Sequence, residues 1–128
     1  MLHIEKFQVN MLQENCYVVN DETQECVIID CGAFYPEERT AIVEYIWKNQ
    51  LQPVHLLVTH GHLDHNFGNY TLYMEFGLKP EVSAQDESLM LHLRQQAETF
   101  YQLQLDYDFP PIDHFFEEDE KIKFGHHE

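Results

Sequence analysis

Apolar positions along the chain change period several times, and each change marks an element. From Met1 to Val9 apolar and polar residues alternate weakly, while the stretches 16–20 and 25–30 are β-branched and apolar. The acidic turn Asp21-Glu22-Thr23-Gln24 between them predicts a hairpin with Cys16 opposite Ile29, so the chain opens as a β-meander. Pro36 then starts a helical pattern, with Glu37 and Glu38 at its positive end and Ile42, Tyr45, Ile46 and Asn49 on one face, ending near Gln50 before Pro53. A strand follows from Val54 to Thr59. Beyond it the pattern predicts a short helix from Phe67 to Phe76, ended by Gly77 and Pro80, and a brief strand from Glu81 to Ala84. Leu89, Leu93, Ala97, Phe100 and Leu103 or Gln104 then recur at helical spacing, which predicts a longer helix capped by Ser83 with Asp86, or by Asp86 itself. The segment 106–111 breaks that helix, and His114 to Phe124 reads as one or two strands. There is no internal repeat and no low-complexity linker.

Composition bounds what such a chain can do. With 128 residues, 44% of them hydrophobic, there is material for one modest core and not for two domains. Seven Lys plus Arg stand against 23 Asp plus Glu, a formal charge of -16 that disfavours nucleic acid and anionic membrane surfaces, whose affinity depends on cationic side chains. A metal cation is the partner this charge welcomes. The start, Met1-Leu2-His3-Ile4-Glu5-Lys6-Phe7, lacks the basic and apolar regions of a secretory signal, and no run reaches transmembrane length, so the expected location is cytoplasmic. Cys16, Cys26 and Cys31 are expected to be free, buried thiols.

The chemistry is concentrated in Thr59-His60-Gly61-His62-Leu63-Asp64-His65, which places three imidazoles and a carboxylate directly after an apolar strand. Neutral imidazole nitrogen and carboxylate oxygen are ligands that zinc and other first-row divalent ions prefer. Side chains two apart in an extended segment point the same way, so His60, His62 and Asp64 converge, while His65, at the start of a helix, turns toward a neighbouring point. Two adjacent metal positions follow, with a hydroxide between them able to attack a carbonyl or phosphoryl group. Asp64 also has the character of a helix N-cap. For His3, His55, His92 and His114 a surface or hydrogen-bonded core role is the expectation.

These seven residues, with Gly68 three positions later, resemble the His-x-His-x-Asp-His motif of the metallo-β-lactamase superfamily, especially its glyoxalase-II-like thioester hydrolases. The hairpin and the segment Ile28-Ile29-Asp30-Cys31-Gly32 resemble that family's strand ending in Asp-x-Gly, and the helix and strand before the motif come in the family's order. The resemblance implies an α/β architecture, the N-terminal portion of an αββα fold with a mixed sheet and flanking helices. It implies that His60 and His62 bind a first metal and Asp64 and His65 a second, that Asp64 is the catalytic carboxylate, and that Asp30 supports the ligand loop from behind. The implied cofactor is zinc, two ions in a complete site, with iron or manganese as alternatives. The implied substrate is a small acyl thioester.

Other parts of the family's site have no counterpart here: a third histidine in a Thr-Pro-Gly-His-like segment, a bridging aspartate and a final histidine. The segment from Phe115 to Gly125 resembles the strand pair that leads into the third-histidine segment, and His126 and His127 lack its context. Residues 1–128 are therefore expected to form an incomplete domain, the N-terminal part of a longer hydrolase, with weak or no metal binding, negligible activity and an uncovered sheet face prone to self-association. Two other readings stand beside it. One is a fragment of an iron enzyme of the persulfide-dioxygenase kind; the other is a non-catalytic metal-binding or interaction module.

Overall fold

The computed structural model describes residues 2–117 and 120–126. Its six strands form one mixed sheet in chain order, β1 (His3–Val9), β2 (Glu14–Asn20), β3 (Glu25–Ile29), β4 (Gln52–Leu57), β5 (Pro80–Ser83) and β6 (His114–Phe116). The first three pair antiparallel; β4, β5 and β6 run parallel to β3, each reached by a crossover. Those crossovers carry α1 (Pro36–Lys48), α2 (Asn69–Phe76), and the pair α3 (Glu87–Leu91) and α4 (Leu93–Phe100). This is the expected α/β arrangement of a mixed sheet with flanking helices.

Strand periodicity sorts the core. Cys16 and Val18 on β2, Cys26 and Ile28 on β3 and Leu56 on β4 share one face, and they pack beneath Ile42 and Ile46 of α1 and Leu72 of α2. Glu38, at the third position of α1, reaches back to accept the amides of Phe34 and Tyr35 at 3.1 Å, closing the helix start. Gly77 ends α2 at φ 72°, a left-handed conformation that suits glycine. A second cluster, Val58, Leu63, Phe67, Val82, Met90, Leu93 and Ala97, seats α4 against the histidine loop. All three cysteines are buried and free, and no helix among the described residues is long and apolar enough to cross a membrane.

Several expectations need correction. Tyr17, not Cys16, faces Ile29; Gln24 turns through φ 73° and its amide bonds to the Asp21 carbonyl, so the turn is longer than the four residues assumed. The long helix divides at His92, whose ring nitrogen lies 2.7 Å from the Ser88 carbonyl, the acceptor its own amide would use in a continuous helix. Beyond the break Phe100 is 75% exposed rather than buried. Among its described residues the last stretch keeps the three-residue β6 and a bridge at Phe124. On the sheet face away from α1, Val19 and Val27 are buried and Tyr17, Ile29 and Leu57 half-buried. His55 of that face meets the Lys123 carbonyl at 3.0 Å, so the returning segment 120–126 covers part of what was expected to be bare.

Gly32 sits where β1–β2, the end of β3 and the histidine loop meet. A Cβ there would run into the Asp64 carbonyl, the Glu14 carboxylate and the Asn10 amide. The Asn10 side-chain amide donates to the carbonyls of Gly32 at 3.0 Å and Asp64 at 2.8 Å, stitching the three segments together. Gly32→Ala is therefore expected to cost about 1–3 kcal/mol of folding stability, the range for overpacking, read as a lower denaturation midpoint; an unchanged midpoint would show that the three segments are not held this tightly.

Candidate metal centre

The centre forms where β3 and β4 end side by side. Asp30, the residue after β3, takes φ 57°, which aspartate tolerates better than most side chains, and its amide donates to the Leu57 carbonyl at 2.9 Å. The chain turns there and aims the carboxylate at the next strand. Thr59 answers with two hydrogen bonds to it, from its amide at 2.7 Å and its hydroxyl at 2.6 Å. His65 Nδ1 lies 3.1 Å from the same carboxylate. Asp30 thus touches both Thr59 and His65 of the histidine loop.

The loop itself is bolted from two sides. Gln96 of α4, buried, accepts the Leu63 amide at 2.8 Å and donates to the carbonyls of Gly61 and Leu89, both at 3.0 Å. Asn66, also buried, donates to the His62 carbonyl at 2.8 Å. So held, the loop gathers its imidazoles: ring centroids are 5.1 Å apart for His60 and His62 and 3.9 Å for His60 and His65. Asp64 Oδ2 comes within 3.4 Å of His65 Nε2. Asp64 is not a helix cap, because the short 3-10 turn runs Leu63–His65 and His62 holds the cap position. Burial, reinforced by the charge of His65, lowers the pKa of His60 and keeps it neutral, the form that binds metal. For His65 burial is the largest single influence and pulls the pKa down, yet the Asp30 contact and the charges of Asp30 and Asp64 together carry it above the ordinary value.

His126 is no substitute ligand. Its amide bonds to Asp21 at the far end of β2, and seven strand residues at about 3.3 Å each put that end roughly 20 Å from Glu14. His127 lies outside the described residues. No third histidine or carboxylate joins His60 and His62 in one group among the described residues; the group of three that does converge is Glu14, Asp30 and His65.

Sequence reasoning missed Glu14, Gln96 and Asn66. Strand period carried the signal for Glu14, since it shares the buried face of Cys16 and Val18. Gln96 stands three residues after Leu93 and beside Ala97 on a buried helical stripe, where a polar residue must find partners. Beside the loop, a pocket of about 380 Å³ is lined by His62, Asp64, Leu89, Gln96, Phe100 and Tyr101. Burial and the charge of Asp64 raise the pKa of Tyr101, keeping its hydroxyl protonated.

Two measurements follow. Gln96→Ala strands buried loop amide and carbonyl groups at about 1–3 kcal/mol for each group, so its thermal midpoint should fall by several degrees, and Gln96→Glu should not restore the donor half. Burial, then the charges of Asp30, Cys31 and Asp64, push the Glu14 carboxyl up to about 9. A carboxyl raised in the folded state binds a proton that the unfolded state has released. The metal-free chain should therefore lose stability as pH rises from about 5 toward 9, by up to about 1.4 kcal/mol per pH unit, and Glu14→Gln should flatten that slope; equal slopes in both proteins would be the contrary result.

Comparison with known proteins accords with this geometry. The sequence profile of the metallo-beta-lactamase superfamily matches residues 9–128. Hydroxyacylglutathione hydrolase GloC of Haemophilus influenzae is 33% identical over 100 residues, 77% of this chain and 45% of that protein. Glyoxylase B2 of Dictyostelium discoideum is 27% identical over 118 residues, 84% of this chain and 39% of that one. The crystal structure of TTHA1623 in a di-iron-bound form superposes with a TM-score of 0.75 at 25% identity, covering 92% of this chain and 56% of that one. BLEG-1 B3 metallo-beta-lactamase gives 0.74 at 20% identity, over 98% and 57%. The chain thus spans less than half the length of these curated relatives and just over half of the two solved chains. Profile, relatives and fold agree: the chain belongs to the metallo-beta-lactamase superfamily.

Proposed function

We propose that this chain carries the first half of the metal centre of a metal-dependent hydrolase acting on small acyl thioesters. The observation that carries the reading is the gathering of His60, His62, Asp64 and His65 at the ends of two parallel strands, on a loop held by Asp30 and Gln96. The donor set suits a divalent ion. Burial keeps His60 neutral, and His62 makes no hydrogen bond through its ring among the described residues, leaving its nitrogens for a ligand. His60 and His62 would hold one ion, Asp64 and His65 a second. When bound, such an ion lowers the pKa of water and polarises a carbonyl.

The remaining work falls to the chain's own side chains. Asp64 orients the attacking water through its second oxygen, and Asp30 fixes the loop that carries the ligands. The pocket beside His62 and Asp64 takes the acyl group: its Leu89, Phe100 and Tyr101 walls are apolar, and the Gln96 amide is consumed by backbone partners. The resemblance to a hydroxyacylglutathione hydrolase at 33% identity supports a thioester as substrate. Zinc is the ion proposed; the di-iron form of TTHA1623 supports iron as the alternative. With two ligands for each position, residues 1–128 hold these outer ions weakly, turn over little substrate alone and self-associate through the half-buried sheet face.

A fusion of residues 1–128 to the part of the Haemophilus relative that its match leaves uncovered tests the reading. The fusion should hydrolyse S-lactoylglutathione, and His60→Ala or His62→Ala should each lower kcat/KM by at least about a hundredfold, the scale of losing a catalytic metal ligand. A folded, metal-loaded fusion inert toward acyl thioesters, or one indifferent to both substitutions, would refute it. Residues 1–128 alone should show no turnover above buffer and a solution mass that grows with concentration.

A further inference from the structure

Behind the histidine loop is a second set of ligand atoms, which shares Asp30 and His65 with the hydrolase reading on which it rests and adds Glu14. One ligand atom each of Glu14, Asp30 and His65 lies within 4.8 Å of the other two. The Glu14 side chain is 3% exposed, and neither of its oxygens has a hydrogen-bond partner. His65 Nδ1 is buried as well. It lies 3.1 Å from Asp30 Oδ2 and 3.4 Å from Glu14 Oε1, yet is aligned for a hydrogen bond with neither. Buried polar atoms are almost always paired, so three unsatisfied atoms in one place call for a partner.

We infer that Glu14, Asp30 and His65 form an inner site for a divalent cation, distinct from the positions offered by His60, His62 and Asp64. Once an arriving cation displaces the Glu14 proton, two carboxylates and a neutral imidazole present a charge of about -2, which a divalent ion cancels. No lysine or arginine pairs with these carboxylates among the described residues, so no protein cation does that work. Asp30 keeps its Thr59 hydrogen bonds, because each carboxylate oxygen has two lone pairs and Thr59 occupies one on each. Two oxygens and one nitrogen suit manganese, ferrous iron or zinc, with manganese favoured by the carboxylate majority. The side chains of Asp64 and His65 are each 19% exposed and form the way in.

The inner site competes with the outer one. A neutral imidazole has one lone pair, so an ion on Nδ1 of His65 leaves the proton on Nε2, directed at Asp64 Oδ2 3.4 Å away. His65 then cannot serve as a ligand alongside Asp64. A cation at Glu14 therefore locks His65 in its inward role until a stronger outer ligand set draws it back.

Manganese alone is the probe. The chain, freed of metal with a chelator and dialysed, is titrated with Mn(II) while the paramagnetic resonance signal of the free aqua ion is followed. One ion should bind per chain. Glu14→Gln should weaken binding at least about tenfold, and the double variant His60→Ala/His62→Ala should bind as the parent does. In a parallel zinc titration, long-range proton–nitrogen spectra of the histidine side chains should show Nδ1 of His65 shifting at the first equivalent while His60 and His62 stay still. That spectrum needs no substitution, so it decides the matter even if Glu14→Gln fails to fold. Absence of binding at millimolar manganese, loss of binding in the double variant, full affinity in folded Glu14→Gln, or first shifts at His60 and His62 would each overturn the site. The hydrolase reading stands or falls separately, on thioester turnover by the fusion.

Discussion

The tie between the ends of β3 and β4 is the constraint on which the rest of this structure depends. Asp30 turns out of its strand in a left-handed conformation, and in that posture its carboxylate receives the amide and hydroxyl of Thr59. Parallel strands alone would set β3 and β4 side by side without fixing where the chain goes next. The two hydrogen bonds fix it, so that His60 leaves the sheet in a defined direction and His65 returns to the same carboxylate. A charged acceptor makes these bonds stronger than neutral ones, and partial burial limits competition from water.

Around that tie the loop is held mostly by neutral amides, with the Asp86 carboxylate accepting the Gly61 amide at 3.3 Å. Gln96, Asn66 and Asn10 supply amides to carbonyls on three sides, and Gly32 leaves the room they need. The carboxyl groups of Glu14, Asp30 and Asp64 stand at the centre of the arrangement. The acidic balance of the whole chain, -16, thus has a local counterpart where carboxylates cluster without lysine or arginine to offset them.

The residues legible in the sequence were those whose chemistry is local. Seven consecutive positions announced the histidine loop, and hydrophobic period located β1 to β5 to within a few residues, because burial on a pleated sheet repeats at every second position. Asp30 drew notice because Asp30-Cys31-Gly32 resembles the family's Asp-x-Gly strand end. What escaped was long-range. Gln96 meets Gly61 from 35 positions away and Glu14 meets His65 from the other end of the β-meander, and neither partnership leaves a trace in spacing. The division of the long helix escaped for a different reason: the His92 ring substitutes for a backbone donor, a choice that periodicity does not encode.

The strand order has a consequence for how the centre comes into being. Every strand pairs with its neighbours in sequence, from β1 through β6. A growing chain therefore offers each new strand a finished edge, with short loops closing the two hairpins and crossovers of 22 to 30 residues bringing in the later strands. By the time Thr59 is made, Asp30 is already in place to receive it, and α4 arrives last to lock the loop. The candidate metal centre of such a chain can mature in the order in which it is synthesised, with its first strand ends set before the later segments arrive.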